Sequence, residues 1–292
     1  MVYILCVIND HLSSFLKEPP SKLPRIWWCA TGPLAFLPIH AAGIYATSIT
    51  KGGLTLSDFA ISSYIPNVRA LTERVLNSPQ VPDKKGKIKT SFFMISQPET
   101  PNLSRIPGTT KEVLSIMQLL KNHNVQFICL EGEVATVNQG IAYMKTHSCI
   151  HFACHAHQNT QKPLKSGFIL HDGGLELSEI IKRKLEGADL AYLSACQTST
   201  GDEKLSEEAV HLAAGMLAAG YRGVIATMWS ISDQHGPQVA EDFYAGLISK
   251  DLEPGQFSTD NAAHALHYST QKLRKKFGDL TIGWIPYVHF GL

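Results

Sequence analysis

A histidine and a cysteine, each placed where an apolar run gives way to small and polar residues, are the groups in this chain best suited to chemistry. The first lies in His151-Phe152-Ala153-Cys154-His155-Ala156-His157 and the second in Leu193-Ser194-Ala195-Cys196-Gln197-Thr198. The runs that lead into them, Ser148 to Ala153 and Ala188 to Leu193, have strand character. As neighbouring parallel strands they would bring His155 and Cys196 out side by side at the carboxyl edge of a sheet, where open α/β folds place their ligands. Cys196 lies 41 positions after His155, an interval that suits one right-handed crossover between adjacent strands. A thiol beside an imidazole is the minimal machinery of nucleophilic acyl transfer, because a free thiol is mostly protonated near neutral pH and needs a base. The small residues around Cys196 permit a tight turn in which a backbone N–H faces a developing oxyanion.

Each of these residues also has a plainer reading. Cys196 could be one more buried cysteine at a strand end. His151 begins its strand and is expected to pack or bond to backbone, His155 lies just past the apolar stretch, and His157 is expected in the solvated loop. Zinc held by Cys154, His155, His157 and Cys196 is a competing idea. Structural zinc sites, however, usually draw on paired, closely spaced loop ligands, and Cys154 more naturally closes the strand. In Ala226-Thr227-Met228-Trp229-Ser230-Ile231-Ser232-Asp233, the aspartate follows the next strand. It could cap the following helix or face the cleft and pair with a cationic substrate group. Asp172, in His171-Asp172-Gly173-Gly174, reads as a structural turn residue. Nucleotide-binding glycine loops, the G-x-S-x-G elbow and the H-E-x-x-H zinc helix are absent.

The elements that must position these groups follow from periodicity. Strand-like runs near Thr90–Ser96, Val125–Leu130, Ser148–Ala153, Ala188–Leu193 and Gly223–Trp229 are mostly separated by helical patterns. The helices are expected at Thr110–Asn122, Thr136–His147, Ser206–Ala219 and Gln234–Ile248, with a last one from Asn261 to Phe277. Ser206 suits an N-cap and Gly220 a C′ position. Apolar strands alternating with helices predict a mostly parallel sheet covered on both faces. Before them, Phe59 to Ile65 reads as a strand and Asn67 to Leu76 as a helix. The Pro/Gly-containing stretch from Asn77 to Lys87 then marks a boundary between residues 1–80 and 81–292.

Composition narrows the classes. The 292 residues are 44% hydrophobic and 17% charged, enough to bury a sizeable core. A formal charge of +1 and the absence of long basic blocks argue against nucleic-acid binding. The apolar start, Met1 to Ile8, lacks a basic leader and is ended by Asn9-Asp10-His11, too early to span a membrane. Six cysteines without framework spacing fit a reducing, cytoplasmic setting.

Trp28 to Gly43 (WCATGPLAFLPIHAAG), Ser63-Tyr64-Ile65-Pro66, Ile150 to Ala156 (IHFACHA), Leu193 to Thr198 (LSACQT) and Gly215 to Asp233 (GMLAAGYRGVIATMWSISD) together resemble the CHAT domain. This is a caspase-like, separase-related cysteine peptidase family often attached to tetratricopeptide repeats. The resemblance implies a caspase-like three-layer α/β sandwich, His155 as general base and Cys196 as nucleophile. It also implies an oxyanion hole from the backbone N–H groups of Cys196 and Ala156, and Asp233 as the acidic group that recognises a basic residue before the scissile bond. The expected activity is endopeptidase cleavage of a protein substrate, without metal or organic cofactor. A repeat region or regulatory protein is the expected partner, and further sequence is expected before Met1. Relatives usually carry Gly where this chain has Ala156, and Ala resists positive φ. The alternative function is a catalytically silent scaffold or signalling module.

Overall fold

The computed structural model describes residues 23–45, 54–68, 72, 91–157, 159, 161–197, 208–229, 231, 235–248, 257–277 and 282–292. Along the chain these form β1 (Arg25–Trp28), β2 (Gly43–Ile44), β3 (Leu54–Thr55), β4 (Ile61–Tyr64), β5 (Phe92–Ser96), α1 (Gly108–Asn122), β6 (Phe127–Glu131), α2 (Val137–Met144) and β7 (Cys149–His157). They continue as β8 (Gly167–Leu170), β9 (Gly173–Glu176), α3 (Leu177–Lys182), β10 (Leu190–Gln197), α4 (Glu208–Ala219), β11 (Gly223–Thr227), α5 (Gly236–Leu247), α6 (Ala262–Phe277) and β12 (Tyr287–Gly291).

The main sheet runs in the order β1-β4-β12-β11-β10-β7-β5-β6, with the hairpin β8–β9 branching from β7. Neighbours from β11 to β6 are parallel, as the buried, near-continuous apolar strands require, and β12 closes antiparallel on β11. Side-chain alternation divides the core in two. Ile150, Phe152 and Cys154 of β7 face α2, α3 and α4, in company with Met144, Ile180 and Met216. Cys149 and Ala153 face α1, α5 and α6, with Ile116, Phe243 and Leu266. This is the three-layer sandwich expected from the sequence.

Local signals account for several boundaries. Thr136 caps α2 by accepting from the Gln139 amide at 3.3 Å, and Asp172 Oδ1 accepts from the Val137 amide at 2.8 Å, which gives that turn aspartate its structural role. Gly220, with φ +123°, closes α4: its amide bonds to the Leu217 carbonyl and that of Tyr221 to Met216, the Schellman pattern. The segment before the expected boundary joins the same sheet, because β4 pairs with β12. Arg274 of α6, 5% exposed, reinforces this by donating to Asp58 at 2.8 Å and Thr55 at 3.0 Å. The boundary stretch 77–87, the Ser206 cap and most of the helix expected after Asn67 lie outside the described residues.

Candidate active site

β7 and β10 are neighbours and parallel, and their register sets His155 directly opposite Cys196 and Ala156 opposite Gln197. Adjacent strands stand about 4.8 Å apart. The backbones of the two positions expected to share one edge are therefore adjacent, and the His155 side chain lies on the face covered by α1, α5 and α6. The strand does not end before His155 as the sequence suggested. It continues to His157 because β8 takes over the flank that β5 leaves: β5 pairs with β7 up to Ala153, and β8 pairs with residues 155 to 157.

The His155 ring is 2% exposed and its Nε2–H donates to the Ser104 carbonyl at 2.7 Å. That bond fixes the tautomer and leaves Nδ1 as the lone-pair nitrogen, buried and without a hydrogen-bond partner among the described residues. Ser104 is brought here by the loop between β5 and α1, tied down by Gln97 N–H to Ala153 O at 2.9 Å, by Ile106 N–H to Pro98 O at 3.0 Å and by the Glu99–Arg105 ion pair. No sequence signal could reveal this partner, because a backbone carbonyl comes with every residue type.

Ala156 sits inside the strand, with Gln197 on one side and Phe168 on the other. It is not among the residues with positive φ, so its methyl group is accommodated without left-handed strain. The thiol of Cys196 and the whole of Asp233 lie outside what the structure describes.

Further down β7 and β10 from His155 and Cys196 is a buried polar cluster that sequence reading missed. Glu112 of α1, 3% exposed, accepts from Ser194 Oγ at 2.9 Å and stands 3.2 Å from His151 Nε2. His151 Nδ1 lies 3.0 Å from the Tyr244 hydroxyl, and its ring stacks on Tyr192 with centroids 4.9 Å apart. His151 is thus held by side chains rather than by backbone. Burial, reinforced by Glu112, pushes the Tyr192 hydroxyl well above its ordinary pKa.

The remaining candidates separate. His157 is not a free loop residue: its Nε2 donates to the Lys165 carbonyl at 2.6 Å. Cys154 points into the opposite core from His155, so the four residues weighed as zinc ligands cannot converge. Burial, helped by Glu131, pushes Cys129 up to about 11, and burial with Asp189 pushes Cys149 higher still, which marks both as inert thiols.

A CHAT domain family model matches residues 7–291. The chain belongs to the CHAT domain family. No curated protein matches it significantly. Among solved structures, the complex of Porphyromonas gingivalis RgpB pro- and mature domains superposes with a TM-score of 0.60 at 11% identity, covering 97% of this chain and 68% of that one. Gingipain R (RGPB), described as an Arg-specific cysteine proteinase, gives a TM-score of 0.61 at 11% identity, covering 97% and 66%. A Saccharomyces cerevisiae separase–securin complex aligns at 14% identity and TM-score 0.48 over 81% of this chain and 14% of that one. This CHAT domain therefore has a caspase-like α/β sandwich fold. Among the described residues, no helix is long and apolar enough to cross a membrane.

Proposed function

We propose that this CHAT domain is a cysteine endopeptidase in which His155 is the general base and Cys196 the nucleophile. The observation that carries the reading is the register: His155 and Cys196 face each other across adjacent parallel strands, with the imidazole already held by a backbone carbonyl. Nδ1 takes the thiol proton as sulfur bonds to the peptide carbonyl carbon, and the carbonyl π electrons move to oxygen. Backbone N–H groups of Cys196 and Ala156 hold that oxyanion. Collapse expels the amine, which takes its proton from Nδ1. Water, deprotonated by the same nitrogen, then hydrolyses the thioester and restores the thiol. The Ser104 carbonyl supports the imidazolium formed in each half-reaction by accepting from Nε2–H.

Asp233 is proposed to bind the side chain preceding the scissile bond. Arginine suits it best, because the guanidinium fork matches a carboxylate. The substrate is a protein, and control by a repeat region or a regulatory protein rests on the family alone. A reducing, cytoplasmic setting would keep the nucleophile as a thiol. Incubating the protein and its Cys196→Ala variant with a diverse peptide library, read by mass spectrometry, tests the reading. Cleavage after Arg or Lys that vanishes in the variant is expected. Absence of cleavage, or cleavage that persists in the variant, would contradict it.

A further inference from the structure

The end of β10, unlike that of β7, is thinly supported by the sheet itself. Among the described residues β11 pairs with β10 from Leu190 to Tyr192 only, whereas β8 takes the place of β5 beside β7 from His155 to His157. From Leu193 to Gln197, β10 therefore has β7 alone as a described strand neighbour. A strand end held on one side explores more registers and twists than one held on both. Dyad geometry, by contrast, tolerates little displacement.

Glu112 supplies the missing hold from above the sheet. One carboxylate oxygen accepts from Ser194, two residues before Cys196, and the other stands against His151, four residues before His155. Glu112 also meets the start of α5: a Cβ built on Gly236 would lie 3.3 Å from Glu112 Oε2 and 4.0 Å from Ser194 Oγ. A side chain at Gly236 would crowd the carboxylate, so glycine eases the close start of α5. The same stretch of chain that offers the Ser104 carbonyl to His155 thus carries, eight residues later, a carboxylate that is hydrogen-bonded to β10 at Ser194 and lies against His151 of β7.

We propose, resting on the His155–Cys196 reading, that Glu112 is a positioning residue that clamps β10 through Ser194 and β7 through His151 so that thiol and imidazole stay aligned. Because Ser194 precedes Cys196 by two residues on β10, loss of its bond to Glu112 frees the strand end without touching the dyad. The defect should appear in the reactivity of Cys196 rather than in folding alone.

The test is the rate of alkylation of Cys196 by iodoacetamide, followed by peptide mass spectrometry with Cys129 and Cys149 as internal references. Ser194→Ala and Glu112→Ala are each expected to slow Cys196 about tenfold, and the double variant no more than about twofold further, since both remove one interaction. Glu112→Gln, which keeps an acceptor oxygen for Ser194, should recover the rate to within about threefold of the parent. A merely structural role would lower thermal stability without this pattern of rescue and non-additivity. Ser194→Ala, which deletes one hydroxyl, reports even if Glu112→Ala fails to fold. Cys196 reacting at the parental rate in folded Ser194→Ala would overturn the positioning role while leaving the dyad standing. A parent protein whose Cys196 reacts no faster than Cys129 would overturn both.

Discussion

At His155 the two ring nitrogens differ: Nε2 is committed to the Ser104 carbonyl, and Nδ1, buried with no hydrogen-bond partner among the described residues, is the nitrogen proposed to carry the proton. His155→Ala should therefore lower peptide cleavage about 10³-fold while β7 stays paired, since general base catalysis contributes on the order of 10²–10⁴. Steady-state kinetics with a cleaved library peptide checks this. Asp233→Asn should lower kcat/KM for an arginyl substrate about 10²-fold, the effect of unpairing a desolvated charge. Equal losses on arginyl and non-basic substrates would remove Asp233 from the specificity pocket. The proposed dyad positions stand out in the sequence because a titratable residue closing an apolar run is a local pattern. Ser104 and Glu112 do not. The first acts through its backbone, and the second reads as an ordinary acidic residue on an amphipathic helix until α1 is laid across β7 and β10.

Secondary-structure elements were legible in proportion to how continuous their apolar runs are. β5, β7, β10 and β11 emerge directly from their runs, and α1, α5 and α6 from their spacing, with boundaries within about two residues except at the carboxyl ends of β7 and β10, which each run four residues further than expected. β8 and β9 were missed: each is four residues, with Gly167, Gly173 and Gly174 where a strand signal would be sought. β12, which follows Pro286 and was not among the expected strands, joins β4 to the rest of the sheet. The Gly220 turn was legible because a left-handed C′ position selects glycine. Gly220→Ala combines a φ of +123° with a Cβ only 2.6 Å from the Leu185 carbonyl oxygen. It should cost roughly 2 kcal/mol or more in urea unfolding, with activity per folded molecule unchanged. An unchanged unfolding midpoint would mean that the turn relaxes freely.

As a whole the molecule carries an acid sensitivity set by buried histidines in and around α6. Burial holds His40 down to about 4 against the pull of the Ile285 carbonyl, with His267 adding to the shift. Burial lowers His267 to about 4, aided by His264 and Arg274 and opposed by Asp58. Burial, then Arg25 and His264, lowers His289 to about 3. In the unfolded chain these groups protonate near pH 6.5, so below that value the unfolded state binds more protons. Their contribution is complete above pH 6.5 and is lost as pH falls towards 4, by about 3 kcal/mol for His40 alone. Thermal unfolding should shift down steeply across that window, and His40→Asn should flatten the slope.

The most direct test of the central claim uses an arginyl peptide acyloxymethyl ketone, a trap for an activated thiol that has bound its substrate. Intact-mass and peptide mapping should find one adduct, on Cys196, formed quickly by the parent protein and slowly by His155→Ala. An adduct on another cysteine, equal labelling in His155→Ala, or no labelling at all would contradict a His155–Cys196 peptidase.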